Sequence, residues 1–282
     1  MIKGVIFDFW GTLVENGIFP SPVRQAKYIL RLRIPFHEFI IKFEKAMMTK
    51  PYKDLNEAFR AVCEEFHLEP SPFLIERLVG MWNKNELLAK PFLETMSVLD
   101  YLKEKKMMIG LISNTPPTIT RIIDKFNLNK YFDTTLFSYD AGLLKTDPEM
   151  FKRLLRELKL EPEEALMIGD SIPTDIHGAR AAGIRAVLLD RRNRRDFSPK
   201  IINLKELKDL IEKKELEEFI RRGEEEQRIR EEEKADKKKE VKEIRINRKY
   251  TKRSIYFYPF FFKIKNLENF DRKKPSVVLI FK

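Results

Sequence analysis

Hydrophobic and polar positions follow two rhythms along this chain, and the change from one to the other divides it. A short apolar run ending in an acid, about Lys3–Asp8, reads as a buried strand. Four stretches of helical periodicity follow, roughly Pro22–Leu32, Phe36–Met48, Lys53–Phe66 and Pro72–Leu88. In the third, Leu55, Phe59, Val62, Cys63 and Phe66 recur at a spacing that gathers them on one face. Prolines at 35, 51, 70 and 72 punctuate the set as helix starts or breaks. A compact helical bundle inserted after the first strand is the economical reading.

After Pro91 helices and strands alternate, which predicts a parallel sheet. Leu93–Glu104, Thr118–Phe126, Pro148–Leu158 and Thr174–Ala182 read as helices. Met107–Ile112, Thr135–Phe137, Ala165–Ile168 and Arg185–Leu189 read as strands. Gly183 follows the last of these helices as a C-terminal stop. Right-handed crossovers gather strand ends on one edge, so Asp8, Ser113 and Asp170, remote in sequence, are expected to face one pocket.

From about Lys213 to Arg253 charges dominate without apolar periodicity, which predicts a solvated helix or disorder. The segment Ser254–Phe262 beyond it is intensely aromatic. The net charge of +11 belongs mainly to this tail. Residues 1–212 carry 33 basic and 30 acidic side chains, whereas the last 70 carry 22 and 14. Basic and aromatic residues together could stack on single-stranded nucleic acid. A hairpin packed on the body, a self-association segment or a poorly ordered extension fits as well, and a nucleic-acid partner is not expected.

The 282 residues suffice for one or two domains with sizeable cores. Apolar runs are far shorter than the roughly 20 residues that span a bilayer, so no membrane span is expected. With no charged leader and cleavage site ahead of the first strand, a cytoplasmic protein is expected. Cys63 is the only cysteine, which excludes an intrachain disulfide and argues against a cysteine metal site. A charged fraction of 35% with only two glutamines, Gln25 and Gln227, suits a hot environment.

Four segments carry the candidate chemistry. The first is Asp8-Phe9-Trp10-Gly11-Thr12-Leu13, a carboxylate at a strand end where open α/β sheets build sites. The strand Gly110–Ile112 ends in Ser113-Asn114, and Lys145 stands in a loop before a helix. Leu166-Met167-Ile168-Gly169-Asp170-Ser171 ends in a second carboxylate, with Asp175 one turn on. In this order the segments resemble the haloacid dehalogenase-like hydrolases over roughly residues 1–210. The resemblance implies an α/β fold: a Rossmann-like parallel sheet in 1–16 and 91–212. It further implies a helical cap in 17–90, leaving 213–282 as a charged and aromatic extension.

It also implies chemistry, usually Mg²⁺-dependent hydrolysis of a small phosphorylated molecule. Asp8 would be the nucleophile, forming an aspartyl-phosphate. Asp8, Asp170 and the main-chain oxygen of Trp10 would bind Mg²⁺, with Asp175 as a ligand or acting through water. Lys145 would hold Asp8 and the phosphoryl group. Ser113 and the Asn114 backbone amide would donate to phosphate oxygens, and Thr12, counted with them and Lys145 as substrate-binding, would shape the turn and orient Asp8. A divalent cation and Lys145 would offset three converging carboxylates.

Trp10 departs from the pattern, since phosphatases of this family usually carry a second aspartate there to move protons. An indole has one weakly acidic donor and no acceptor. A good leaving group, a proton donor from the cap or a weak activity are the outcomes open; His37 is the cap candidate. An aromatic residue here also resembles metal-free dehalogenases of the family, although Gly169-Asp170-Ser171 has the metal-binding form. A catalytically silent binding protein is the third reading.

Overall fold

The computed structural model describes residues 1–254, with side chains to residue 238. The expected aromatic segment therefore lies, apart from Ser254, outside the described residues.

Strand β1 (Gly4–Phe7) is buried along its whole length because both neighbours and both faces are covered. The chain then forms β2 (Val14–Glu15) and the helices α1 (Pro22–Ile29), α2 (Phe36–Met48), α3 (Leu55–Glu65) and α4 (Pro72–Leu88). It returns through β3 (Lys90–Pro91) to α5 (Thr95–Glu104), β4 (Met108–Ser113), α6 (Ile119–Lys125) and β5 (Thr134–Phe137). Next come α7 (Ser138–Ala141), α8 (Pro148–Leu158), β6 (Ala165–Gly169) and α9 (His177–Ala181). The last elements are β7 (Arg185–Leu189), β8 (Lys200–Ile201), α10 (Leu204–Glu212) and α11 (Leu216–Ser254).

Six strands form one parallel sheet in the order β5-β4-β1-β6-β7-β8. The fold is α/β of the Rossmann-like kind. Successive side chains of β1 alternate between its faces: Val5 and Phe7 enter one apolar layer, and Ile6 enters the other with Ile112, Phe151 and Met167. Phe7 pairs in register with Leu111 of β4 and Ile168 of β6. That register delivers the next residues of all three strands to the same edge.

The four helices between β2 and β3 have an apolar core of their own. Phe39, Phe43, Phe59 and Trp82 meet there at centroid distances of 5.2 to 6.5 Å. Asp54 caps α3 by accepting the Glu57 N–H at 2.9 Å, and Ser71 caps α4 with Pro72 in its first turn. The two connections to this bundle pair with each other as antiparallel β2 and β3, an element too short to announce itself by periodicity.

Two expectations need correction. The single helix expected over Thr174–Ala182 is instead a wide π-helical turn, Ile172–Ile176, followed by the short α9. The extra residue in the turn brings Asp175 inward. The boundary expected after Glu212 falls too early, because the first compact unit runs from Met1 to Ile229. Leu216 and Ile220 are buried in the core, Glu217 accepts the Ile2 N–H and pairs with Arg185, and Gln227 accepts the Ser198 N–H. Charged neighbours hid these few inward positions. The second unit, from Arg230, is helical through Ser254. Within the described residues no helix is long and apolar enough to cross a membrane.

Candidate active site

Asp8 follows β1 directly and its N–H donates to Ile168 O at 3.0 Å, which pins it between the central strands. Gly11 then turns the chain at φ +82°, a conformation that costs other residues. A Cβ at this position would stand 2.5 Å from Asp170 Oδ2. The turn is held from outside by Arg191, which donates to Gly11 O at 3.2 Å and Thr12 O at 2.7 Å. Arg191 also pairs with Glu94 at 2.6 Å and stacks over Phe92.

The expected residues converge. Carboxylate oxygens of Asp8, Asp170 and Asp175 lie within 4.8 Å of one another. Lys145 Nζ stands 2.6 Å from Asp8 Oδ1 and 2.6 Å from Asp175 Oδ1, with all three side chains buried. Thr12 Oγ1 donates to Asp8 Oδ2 at 3.1 Å. Thr12, expected to contact substrate, is instead fully buried behind Asp8 and does not line the cavity. Asp175 Oδ2 accepts the Ser171 N–H at 2.9 Å, the contact that the wide turn makes possible.

Among the described residues Ser113 Oγ, buried at the cavity wall, has no hydrogen-bond partner. Leaving such a hydroxyl unpaired costs about 1–3 kcal/mol, which a phosphate oxygen could relieve. Asn114 lines the cavity as well, and its side chain links two walls. Its Oδ1 accepts the Lys145 N–H at 2.9 Å, and its Nδ2 donates to Glu44 Oε2 of α2 at 2.8 Å.

Burial raises the Asp8 carboxyl to about 6, against the pull of Lys145. Burial, then Asp8 and Asp175, raise Asp170 to about 8. Burial opposes charge on Lys145, but Asp175 and Asp8 overcome it and raise the ammonium's pKa. One buried ammonium, helped only by the exposed Arg195 beside Asp170, thus faces three carboxylates. The imbalance and the all-oxygen donor set fit a hard divalent cation.

The cavity encloses about 530 Å³, a volume suited to a small metabolite. Trp10 lines it, half-buried, with its ring edge-on to Phe9 at 5.2 Å. His37, the expected cap candidate, is exposed and does not line it. Charged residues not foreseen line it as well: Arg24, Glu44, and Arg195, which donates to the Asp170 carbonyl oxygen. Glu44 had a signal. Phe36, Ile40, Glu44 and Met48 recur at intervals of four and all face the cavity, so an acid interrupts an otherwise apolar stripe. Arg195 sits in a run of arginines that gives no such signal.

Residues 2–183 match the family described as haloacid dehalogenase-like hydrolase. A glyceraldehyde 3-phosphate phosphatase of Methanothermobacter thermautotrophicus is 28% identical over 67% of this chain and 86% of its own length. A phosphoserine phosphatase of Thermus thermophilus is 35% identical over 35% of this chain and 40% of its own length. Among solved structures, a HAD phosphatase from Thermococcus onnurineus superposes with a TM-score of 0.52 at 22% identity, over 74% of this chain and 98% of that one. The L-2-haloacid dehalogenase of Xanthobacter autotrophicus gives 0.55 at 18%, over 75% and 99%. The shared fold alone does not choose between these two chemistries.

Proposed function

The chain belongs to the haloacid dehalogenase-like hydrolases, and on that footing we propose a Mg²⁺-dependent phosphohydrolase that works through an aspartyl-phosphate on Asp8. The observation that carries the reading is the set of three carboxylates within 4.8 Å, which Lys145 alone does not neutralise. Without a cation, Lys145 and the exposed Arg195 would be left to balance all three. The relatives named as phosphatases of small phosphorylated compounds support the same choice, as does a cavity of metabolite size.

Asp8, Asp170 and the Trp10 main-chain oxygen would hold the cation, with Asp175 as a ligand or acting through water. Bound there, Mg²⁺ would neutralise phosphate charge that otherwise repels a carboxylate nucleophile. Thr12 holds one Asp8 oxygen and Lys145 the other, which orients the carboxylate for attack on phosphorus. Ser113 Oγ, unpartnered in the wall among the described residues, donates to a phosphate oxygen, and the Asn114 backbone N–H is the second donor. The P–O bond to the leaving group breaks as the Asp8–phosphorus bond forms. Water then releases phosphate and restores the carboxylate.

The test is phosphate release from a panel: glyceraldehyde 3-phosphate, phosphoserine, glycerol 3-phosphate and p-nitrophenyl phosphate. Release that requires Mg²⁺ and stops with EDTA is expected. Halide release from 2-haloacids without metal, and no phosphate from any ester, would establish the dehalogenase chemistry instead.

A further inference from the structure

Trp10 leaves the reaction without its usual proton carrier, and the cavity contains one group that can take over. Its acidic lining residues are Asp8, Asp170, Asp175 and Glu44. The first three are committed to the charge cluster around Lys145 and the cation. Neither histidine, cysteine nor tyrosine lines the cavity among the described residues. Glu44 remains, and it comes from α2, in the inserted bundle rather than the sheet.

In-line displacement places the leaving oxygen on the side of phosphorus opposite the attacking carboxylate. Asp8 attacks from the sheet edge, so the departing oxygen points toward the inserted helices. Glu44 lies in that wall. Asn114 grips its Oε2 at 2.8 Å while holding the Lys145 N–H through its own carbonyl, so the acid is registered against the nucleophile's partner. Asn114 is the residue next to Ser113, the expected phosphate contact.

We propose that Glu44 is the general acid and base of this site, replacing the carboxylate that Trp10 displaces. The inference rests on the phosphohydrolase reading and assigns its missing step. In the first half-reaction Asp8 bonds to phosphorus, the ester P–O bond breaks, and the protonated Glu44 carboxyl gives its proton to the departing alkoxide. In the second, the Glu44 carboxylate takes a proton from water. The water oxygen bonds to phosphorus, the bond between Asp8 and phosphorus breaks, and inorganic phosphate leaves with Glu44 again protonated.

The surroundings suit both roles. Burial pushes Glu44 up to about 7, with Asn114 and Lys145 pulling the other way and Asp175 and Asp8 adding to the rise. An acid with that midpoint holds or yields its proton near neutrality, where acid–base catalysis is most efficient.

The decisive variant is Glu44→Gln in the full chain with Mg²⁺, because the amide oxygen can still accept from Asn114. Thermal unfolding then serves as the check on folding. Turnover of the best alkyl phosphate in the panel should fall by about 10²–10⁴-fold in kcat, with KM little changed. p-Nitrophenyl phosphate needs no acid to expel its phenolate. It should give a burst of about one nitrophenolate per enzyme followed by slow turnover, since the second half-reaction still lacks its base. Glu44→Asp, which keeps the acid, should recover part of the alkyl rate.

Unchanged alkyl phosphate turnover in Glu44→Gln, with wild-type hydrolysis intact, overturns the assignment and leaves the phosphohydrolase standing. Equal losses on both esters, expressed in KM and without a burst, also overturn it and make Glu44 a binding residue. A wild-type protein inert toward every ester removes the parent reading and this one with it.

Discussion

Lys145 reaches Asp8 across 137 positions of sequence, with Nζ 2.6 Å from Oδ1 and both side chains buried. The same nitrogen stands 2.6 Å from Asp175 Oδ1. Removing it leaves two buried carboxylates facing each other. Lys145→Met should therefore cost about 3–5 kcal/mol of stability in urea without metal. Added Mg²⁺ should recover part of that loss, since it neutralises the same charges. Phosphate release should fall at least about 100-fold even in folded protein.

Asp8→Asn separates chemistry from architecture. The amide keeps an acceptor for the Thr12 hydroxyl or for Lys145 but cannot bond to phosphorus as a nucleophile. Turnover should drop to background. Stability should be preserved, because one of three mutually repelling carboxylates has lost its charge. Unfolding curves and phosphate release on the same preparation check both halves. Retained turnover would remove Asp8 from the reaction.

Part of the site was legible because its residues end a buried strand or open the turn after one, so a short apolar run marks their place. Asp8, Ser113 and Asp170 are of this kind, and the parallel sheet brings them together once the strand order is set. Glu44 was not legible in the same way. It lies mid-helix, where an acid ordinarily faces solvent, and only the cavity shows that its stripe has a wall to line. Leu216 and Ile220 were hidden for a related reason. Their neighbours are so charged that two inward positions leave no periodic signal.

Trp10 can be asked directly whether it displaced an acid. In the Glu44→Gln background, Trp10→Asp should recover alkyl phosphate turnover by about tenfold or more, because a carboxyl returns beside the nucleophile. Rates on the best alkyl ester, single against double variant, measure it. No recovery in a folded double variant that still forms the nitrophenolate burst would mean that an acid at position 10 cannot reach the leaving oxygen in this cavity.

Gly178 touches the site without lining it. A Cβ there would fall on the Lys145 carbonyl oxygen and stand 2.8 Å from the Phe151 ring. Backbone cannot yield as a side-chain tip can, so Gly178→Ala should displace the Lys145 loop. Destabilisation of about 1–3 kcal/mol is expected. A displacement near 1 Å would cost about 10²-fold in rate. Denaturant unfolding and kcat on the best ester report the two effects. A variant with native stability and rate would show that α9 slides away from the loop at no cost.

Truncation locates the true end of the body. Removing everything after Glu212 strips Leu216 and Ile220 from the core, each worth about 1.5–3 kcal/mol of apolar burial. It also deletes Glu217, which accepts the Ile2 N–H and pairs with Arg185, and the Gln227 oxygen that accepts from Ser198. Glu217's pKa is lowered despite partial desolvation, as expected of a carboxylate whose charge is held by Arg185 and by that N–H. A chain ending at Glu212 should lose several kcal/mol, about the whole margin of an ordinary domain. One ending at Ile229 keeps all these contacts and should match the full chain in melting temperature and phosphate release. Equal stability of the two truncations would show that the start of α11 lies on the body without supporting it.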